Sequence, residues 1–513
     1  MLNTQETYLG NKGYTIYKNT ISVKEQQYMR EELNVRPYIP KSPVQPPAFP
    51  IYRESQNKLY VPRFFGVETY GVPNQLKIAQ GENISVPFSG SLRDYQENIV
   101  NVYKKNVNDV DGGGGLLEVP CGRGKTVIAL KLISELKKKT LVIVHKGFLV
   151  DQWLERIEQF LPGARVGKIQ GQIIDIEDKD IVIGMLQSLS MKEYPNNMFD
   201  SFGLTIVDEC HHISSEVFSR SLLKIVTKYC LGLSATMQRK DGLTRVFKMF
   251  LGEIIYKEKR EGDDGVLVKA IEYKTEDDEF NETVFDYRGN PAFSTMISKL
   301  CTYNRRSEFI LEVLQRELAE KSGQQIMILA HNKNLLVYLH NAIEHRNIAS
   351  CGFYVGGMKK EALKETESKT IVIATYAMAA EALDIKTLTT LILATPRTDV
   401  VQAVGRILRV KHERPLVVDI VDSHNMFKNQ WMKRKRFYEK SKYHIIYTDS
   451  NLYSKNKPNT QMTNNNKLTT TLNTTDIWTT IHDPLVKKTR VKKSSAKCGD
   501  VSDPLKGKCL IKI

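Results

Sequence analysis

The chain has 513 residues, 41 % of them hydrophobic, and a formal net charge of +16. That length suits about three domains of ordinary size, and the basic balance favours a polyanionic partner. No run approaches the ~18 apolar residues of a membrane span. No apolar signal core opens the chain. The seven scattered cysteines form no Cys-x-x-Cys pair, which indicates neither a zinc site nor a disulfide framework. A soluble, reduced, intracellular protein with no membrane partner is expected.

Residues 1–85 read as an N-terminal accessory region. Pro37, Pro40, Pro43, Pro46, Pro47 and Pro50 crowd one segment, which should be extended. Residues 58–66 look like a strand running into a turn. No chemistry is legible here.

Residues 86–257 alternate short apolar runs with helical patterns, which argues a mostly parallel sheet covered by helices. Near its start stands Leu92-Arg93-Asp94-Tyr95-Gln96, where the Gln96 amide could pair with an adenine edge through one donor and one acceptor. Then Leu116-Leu117-Glu118-Val119-Pro120 reads as a buried strand, Cys121-Gly122-Arg123-Gly124 as a turn, and Lys125-Thr126 as the start of an amphipathic helix. Strand, Gly-rich turn, Lys-Thr, helix is the order of a phosphate-binding loop. Glycines let backbone N–H groups converge on phosphate oxygens, and the helix N-terminus adds positive potential. Lys125 would reach the β- and γ-phosphates, and Thr126 would ligate Mg²⁺. Val119 holds the position where the usual pattern begins with Gly. The plainer reading is a turn that only joins strand to helix.

Further strands are expected at 141–145, 181–185, 204–207 and 230–234. Ligands of such sheets sit at the carboxyl ends of the strands. Polar residues do follow the runs: His145-Lys146, Gln187-Ser188, Asp208-Glu209 and Ser234-Ala235-Thr236. In Val207-Asp208-Glu209-Cys210-His211, Asp208 would hold Mg²⁺ and Glu209 would orient and deprotonate the attacking water. The alternative is a surface acidic turn.

Residues 258–300 are irregular and acidic, and read as a linker. Alternation resumes over 301–449, with a helix at 307–318 and strands at 326–330, 371–375, 391–394 and 416–420. This second unit lacks a Gly-rich Lys-Thr loop, so a single nucleotide would sit between two α/β cores. Gln402-Ala-Val-Gly-Arg406-Ile-Leu-Arg409 sets two arginines three apart, on one face if helical. Such arginines could meet a γ-phosphate if the units close. The segment 428–442 is basic, with Trp431, Phe437 and Tyr438 interleaved, and could hold nucleic acid by stacking, or be a plain solvated helix. Residues 450–513 are Asn/Thr/Lys-rich and expected to be disordered. From Asn451 on they carry 12 Lys/Arg against 4 Asp/Glu, half of the net positive excess.

Taken in order, LRDYQ, PCGRGKT, HKGFLVDQW, IGMLQSLS, VDECHH, LGLSATMQRKDG, ILAHNK, ATYAMAAEALDI and QAVGRILR resemble the motif series of superfamily II helicases. The likeness covers roughly residues 88–447. It is nearest to the branch shared by the double-strand DNA translocase of transcription-coupled repair and the transcript-release helicases of large cytoplasmic DNA viruses. It implies two tandem RecA-like domains and an ATP- and Mg²⁺-dependent motor, working as a monomer on DNA or RNA. The viral likeness implies a transcription role in the host cytoplasm or virion, with transcription machinery as a partner.

Residue by residue, Gln96 would recognise adenine, and Val119, Pro120, Cys121, Gly122, Arg123, Gly124, Lys125 and Thr126 would cradle the triphosphate. Asp384 would sense the nucleotide, and Arg406 and Arg409 would act as arginine fingers. His211, Ser234, Ala235, Thr236 and Gln402 would couple the ATP site to the track. Met237 stands where Pro is usual, Ala382 where Gly is usual, and Cys210 makes the acidic box DECH. Two other readings remain open: a duplex translocase that separates no strands, and an ATP-gated clamp without turnover.

Overall fold

The computed structural model describes residues 6–39, 44–120, 122–195, 197–210, 215–237, 239, 241–258, 265–381, 385–408, 412–456, 459–462, 468–471 and 477–484. The fold is α/β, built on two eight-stranded, mostly parallel sheets in tandem, preceded by a small five-stranded sheet.

The small sheet runs in the order Arg53–Glu54, Lys58–Val61, Gly13–Tyr17, Thr7–Gly10, Gln75–Leu76. Its Leu9, Tyr14, Ile16 and Leu59 share one hydrophobic cluster with Leu116, Leu141 and Phe247 of the first large unit. Arg63 reinforces that contact, donating to Lys228 O at 2.8 Å and to Asp111 O at 2.6 Å. The turn expected within 58–66 is instead a helix, Arg63–Tyr70. Pro62 holds its N-cap in an extended conformation, φ −54° and ψ 141°. Gly66 is not a turn residue: a Cβ there would overlap the Tyr14 ring.

The first large sheet has the order Ile173–Ile174, Val166–Gln170, Ile181–Met185, Thr140–Val144, Leu204–Asp208, Tyr229–Ser234, Gly113–Glu118, Ile254–Lys257. Only Ile173–Ile174 pairs antiparallel. Thr140–Val144 and Leu204–Asp208 are buried along their whole length, which is why they read as unbroken apolar runs. Helices Lys125–Leu136 and Gly147–Phe160 cover the sheet with Ile128, Leu132, Leu149, Trp153 and Ile157.

The second large sheet has the order Cys351–Tyr354, Ile371–Thr375, Gln325–Ala330, Leu388–Leu393, Leu416–Asp422, Leu267–Tyr273, His444–Asp449, Thr479–His482, parallel except for the last pair. Two expectations change here. The stretch 258–300 is no mere linker, because Leu267–Tyr273 is an interior strand, buried throughout. Its charges hid it: Lys269 is buried against Glu317 at 2.9 Å, and Glu272 accepts from Tyr447 at 2.5 Å. Helix Phe293–Thr302 in the same stretch buries Met296, Ile297 and Leu300.

Likewise, structure continues past residue 450. Asp449 caps helix Ser450–Lys455 by accepting from the N–H groups of Asn451 and Leu452. Trp478 packs on Tyr453 at 6.0 Å, and Thr479–His482 extends the sheet. The polar average of the tail masked that short apolar anchor. Residues 485–513 lie outside the described set. Among the described residues, no helix is long and apolar enough to cross a membrane.

Candidate active site

Strand Gly113–Glu118 ends at a loop that enters helix Lys125–Leu136. The loop turns on two glycines in the left-handed region, Gly122 at φ 81° and Gly124 at φ 78°. At Gly124 a Cβ would overlap Gln96 Nε2. This close approach lets Gln96 Nε2 donate to Arg123 O at 3.1 Å, while Gln96 Oε1 accepts from Arg93 N at 3.0 Å. The Nε2 end of the amide predicted to read adenine thus holds the loop, and the Oε1 end caps its own helix, Asp94–Asn106. Tyr95 Oη donates to the same Arg123 carbonyl at 3.3 Å.

Lys125 Nζ stands 2.6 Å from Glu209 Oε1. Asp208 ends strand Leu204–Asp208, next to Gly113–Glu118 but for one intervening strand. The Asp208 carboxylate is buried, accepting from Trp153 Nε1 at 2.9 Å and from Glu209 N at 3.0 Å. Burial, then the neighbouring Glu209 charge, pushes its carboxyl up to about 6. A buried carboxylate at a strand end is the kind of oxygen donor that suits Mg²⁺, and Thr126, in the first turn of helix Lys125–Leu136, would be the second donor. Glu209 itself sits at φ 48°, a left-handed conformation unusual for a non-glycine residue.

The Ser234-Ala235-Thr236 turn is bound to the loop directly. Val119 N donates to Ser234 O at 2.9 Å, and Thr236 N donates to Ser234 Oγ at 3.2 Å. Met237 N donates to Glu118 Oε2 at 3.3 Å, and Met237 Sδ lies 3.8 Å from Cys210 Sγ. The loop, the acidic box and this turn therefore form one bonded group at the carboxyl end of the first sheet.

In the second unit, Gln402 and Arg406 lie on helix Val401–Arg406. Arg406 is buried, its Nε donating to Ala379 O at 2.7 Å. Cys121, His211, Asp384 and Arg409 lie outside the described residues. Trp153 had no predicted role, although the apolar spacing Leu149, Val150, Trp153, Ile157 marks it as core-facing. The Arg123–Glu258 contact, Nε to Oε1 at 2.6 Å, also escaped sequence reasoning, which offers no signal for a pair 135 residues apart.

The basic segment differs from expectation. Helix Asn425–Lys440 buries Phe427, Trp431, Arg434 and Tyr438, and Phe437 is half-buried. Arg434 pairs with buried Asp419 at 2.7 Å, and Tyr438 Oη donates to the same carboxylate at 3.0 Å. Trp431 and Tyr438 are core residues and present no face for a base. The exposed side carries Lys428, Lys433, Arg436 and Lys440.

A family model described as "Type III restriction enzyme, res subunit" matches residues 89–239. The chain is 34 % identical over 459 residues to "Putative ATP-dependent RNA helicase L396" of Acanthamoeba polyphaga mimivirus, covering 87 % of each protein. It is 28 % identical over 382 residues to a protein of like description, QP509L, of African swine fever virus, covering 69 % of this chain and 73 % of that one. It is also 30 % identical over 220 residues to "DNA 3'-5' translocase XPB2" of Sulfurisphaera tokodaii, covering 41 % of this chain and 47 % of that one.

Proposed function

The chain belongs to the superfamily II helicases, ATP-hydrolysing enzymes, and from that premise we propose that it couples ATP hydrolysis to movement along, or unwinding of, a nucleic acid in viral transcription. The convergence of Lys125, Asp208 and Glu209 at one strand-end carries this reading. N–H groups of residues 122–126 and the Lys125 ammonium would bind the phosphates, and Gln96, on giving up its contacts with Arg93 and Arg123, the base. Asp208 and Thr126 would hold Mg²⁺, which supplies charge neutralisation of the phosphoryl group. Freed from Lys125, Glu209 would take the proton of the attacking water. Arg406 and Arg409 would complete the site when the units close, and Ser234, Ala235, Thr236, His211, Gln402 and Asp384 would relay its state to the track.

Grip on the track should be mostly to phosphates and little dependent on sequence. The RNA helicase descriptions of the viral relatives support RNA as substrate; transcription machinery would be the partner and the infected cytoplasm the location. ATPase rate titrated with single-stranded DNA, duplex DNA and RNA in parallel tests the reading; no stimulation by any of them refutes it. The likeness to the archaeal translocase favours a second reading, movement on duplex without strand separation. Triplex displacement without duplex displacement would select it.

A further inference from the structure

The phosphate loop is tied to the last described residue of its own unit. Arg123 sits at its crest. The Arg123 guanidinium lies 3.8 Å over the Tyr95 ring. From there it reaches Glu258 by two donors, Nε at 2.6 Å and Nη2, both to Oε1. Meanwhile the Arg123 carbonyl accepts from Tyr95 and Gln96. One residue therefore joins the base-reading helix, the phosphate loop and Glu258.

Glu258 occupies a particular place. It follows strand Ile254–Lys257, the edge of the first large sheet. Its N–H donates to Glu118 O at 2.9 Å. Beyond it, the described chain resumes at Gly265 and enters Leu267–Tyr273 of the second large sheet. Glu258 is thus the last described residue of the first unit before the chain crosses to the second. Its side chain is 9 % exposed. The Oε2 atom is buried and receives no hydrogen bond from the described residues. A half-satisfied buried carboxylate is costly and poised to exchange partners when its surroundings shift.

We propose that the Arg123–Glu258 pair is a coupling latch, through which occupancy of the phosphate loop is passed to the chain crossing between the two units. Arg123 and Glu258 are positioning residues. Phosphates entering the loop must draw Lys125 off Glu209 and move the crest with it. The guanidinium holds Glu258 to that crest by two donors, so a shift of the crest pulls on Glu258 or breaks the pair. An arginine suits the task because it stacks on Tyr95 and forks onto a carboxylate at once, which a lysine cannot do. The latch rests on the helicase reading and adds a residue pair to it.

The test uses the full chain and whichever of single-stranded DNA, duplex DNA or RNA stimulates the unaltered protein. Two quantities are read: the ratio of stimulated to basal ATPase, and the ratio of oligonucleotide affinities with a non-hydrolysable ATP analogue and with ADP. Glu258→Gln should leave basal turnover and melting temperature near those of the unaltered chain. It should cut the stimulation ratio by about tenfold, a usual size for coupling between sites, and bring the affinity ratio close to one. Arg123→Lys should also lower stimulation, and Arg123→Lys with Glu258→Gln should be no worse than the stronger single change. Full stimulation and a preserved affinity ratio in Glu258→Gln overturn the latch, as does a double variant whose loss is the product of the two. An unaltered chain without nucleic-acid-dependent turnover overturns the helicase reading, and the latch with it.

Discussion

The Lys125 ammonium and the Glu209 carboxylate, 2.6 Å apart, neutralise one another across the site. In the proposed mechanism each would have to leave the other for its working partner, the lysine for phosphate and the glutamate for water. Glu209→Gln should lower turnover by about 10²–10⁴-fold, the usual worth of a general base. It should also tighten nucleotide binding by about threefold to tenfold, roughly 1 kcal/mol, because Lys125 loses a counterion. Lys125→Ala should abolish both binding and turnover. Fluorescent-nucleotide titration beside an ATPase assay checks this; weaker binding in Glu209→Gln would contradict it.

The strand–turn–helix at Gly113–Leu136, the strand ending at Asp208 and the alternation of both large sheets were legible because parallel strands buried on both faces leave unbroken apolar runs, with polar residues at their ends. Leu267–Tyr273 was not, because Lys269 and Glu272 break its run and their partners, Glu317 and Tyr447, are remote in sequence. The same limit misread helix Asn425–Lys440. Its aromatics interleave with basic residues along the chain, yet fall at 427, 431 and 438 on one helical face, and that face is packed. Long-range pairs such as Trp153–Asp208 leave no local trace at all.

Trp153 donates a side-chain hydrogen bond to the Asp208 carboxylate, at 2.9 Å within the buried site. Trp153→Phe keeps the packing and removes the donor. Loss of a hydrogen bond to a charged group costs about 1.5–3 kcal/mol. A metal-holding carboxylate deprived of its orienting partner weakens metal affinity by about 10–100-fold. The Mg²⁺ concentration for half-maximal ATPase should rise accordingly, with a lower melting temperature. An unchanged Mg²⁺ requirement would refute the placement of Asp208 as a metal ligand.

Gly124 combines φ 78° with the close approach of Gln96 Nε2. Gly124→Ala would meet a conformational penalty of about 1–2 kcal/mol and displace Gln96 from the Arg123 carbonyl. Nucleotide affinity should fall by at least about tenfold. Gln96→Ala, which removes the obstructed amide, should lessen the steric part of that defect, so the two changes should not be additive. Additive losses in nucleotide titrations would contradict the contact.

Helix Asn425–Lys440 separates stability from grip. Trp431→Ala should cost about 3–5 kcal/mol, as a large buried aromatic does. Thermal melting reads that loss directly. Lys433→Ala with Arg436→Ala, on the exposed side, should leave melting unchanged. If that side faces the track, the pair should weaken nucleic-acid binding and reduce the salt slope by about one for each phosphate no longer neutralised. An unchanged salt slope would assign the charged face to solvation alone.

Met237, at the position where the resembled motif series would put proline, packs against this chain's own acidic box. It is 1 % exposed, its sulfur lies 3.8 Å from Cys210 Sγ, and its N–H donates to Glu118 Oε2 at 3.3 Å. Proline would remove the N–H and most of the side chain that fills the space beside Cys210. Met237→Pro should therefore destabilise the first unit by about 2–5 kcal/mol, from a cavity together with the loss of a hydrogen bond to a carboxylate. Met237→Leu retains the N–H and nearly the volume, and should cost less than about 1.5 kcal/mol. Chemical denaturation of the two variants side by side measures the difference. Equal stability would mean that neither the sulfur contact nor the backbone bond holds the turn, and that the departure from proline is incidental.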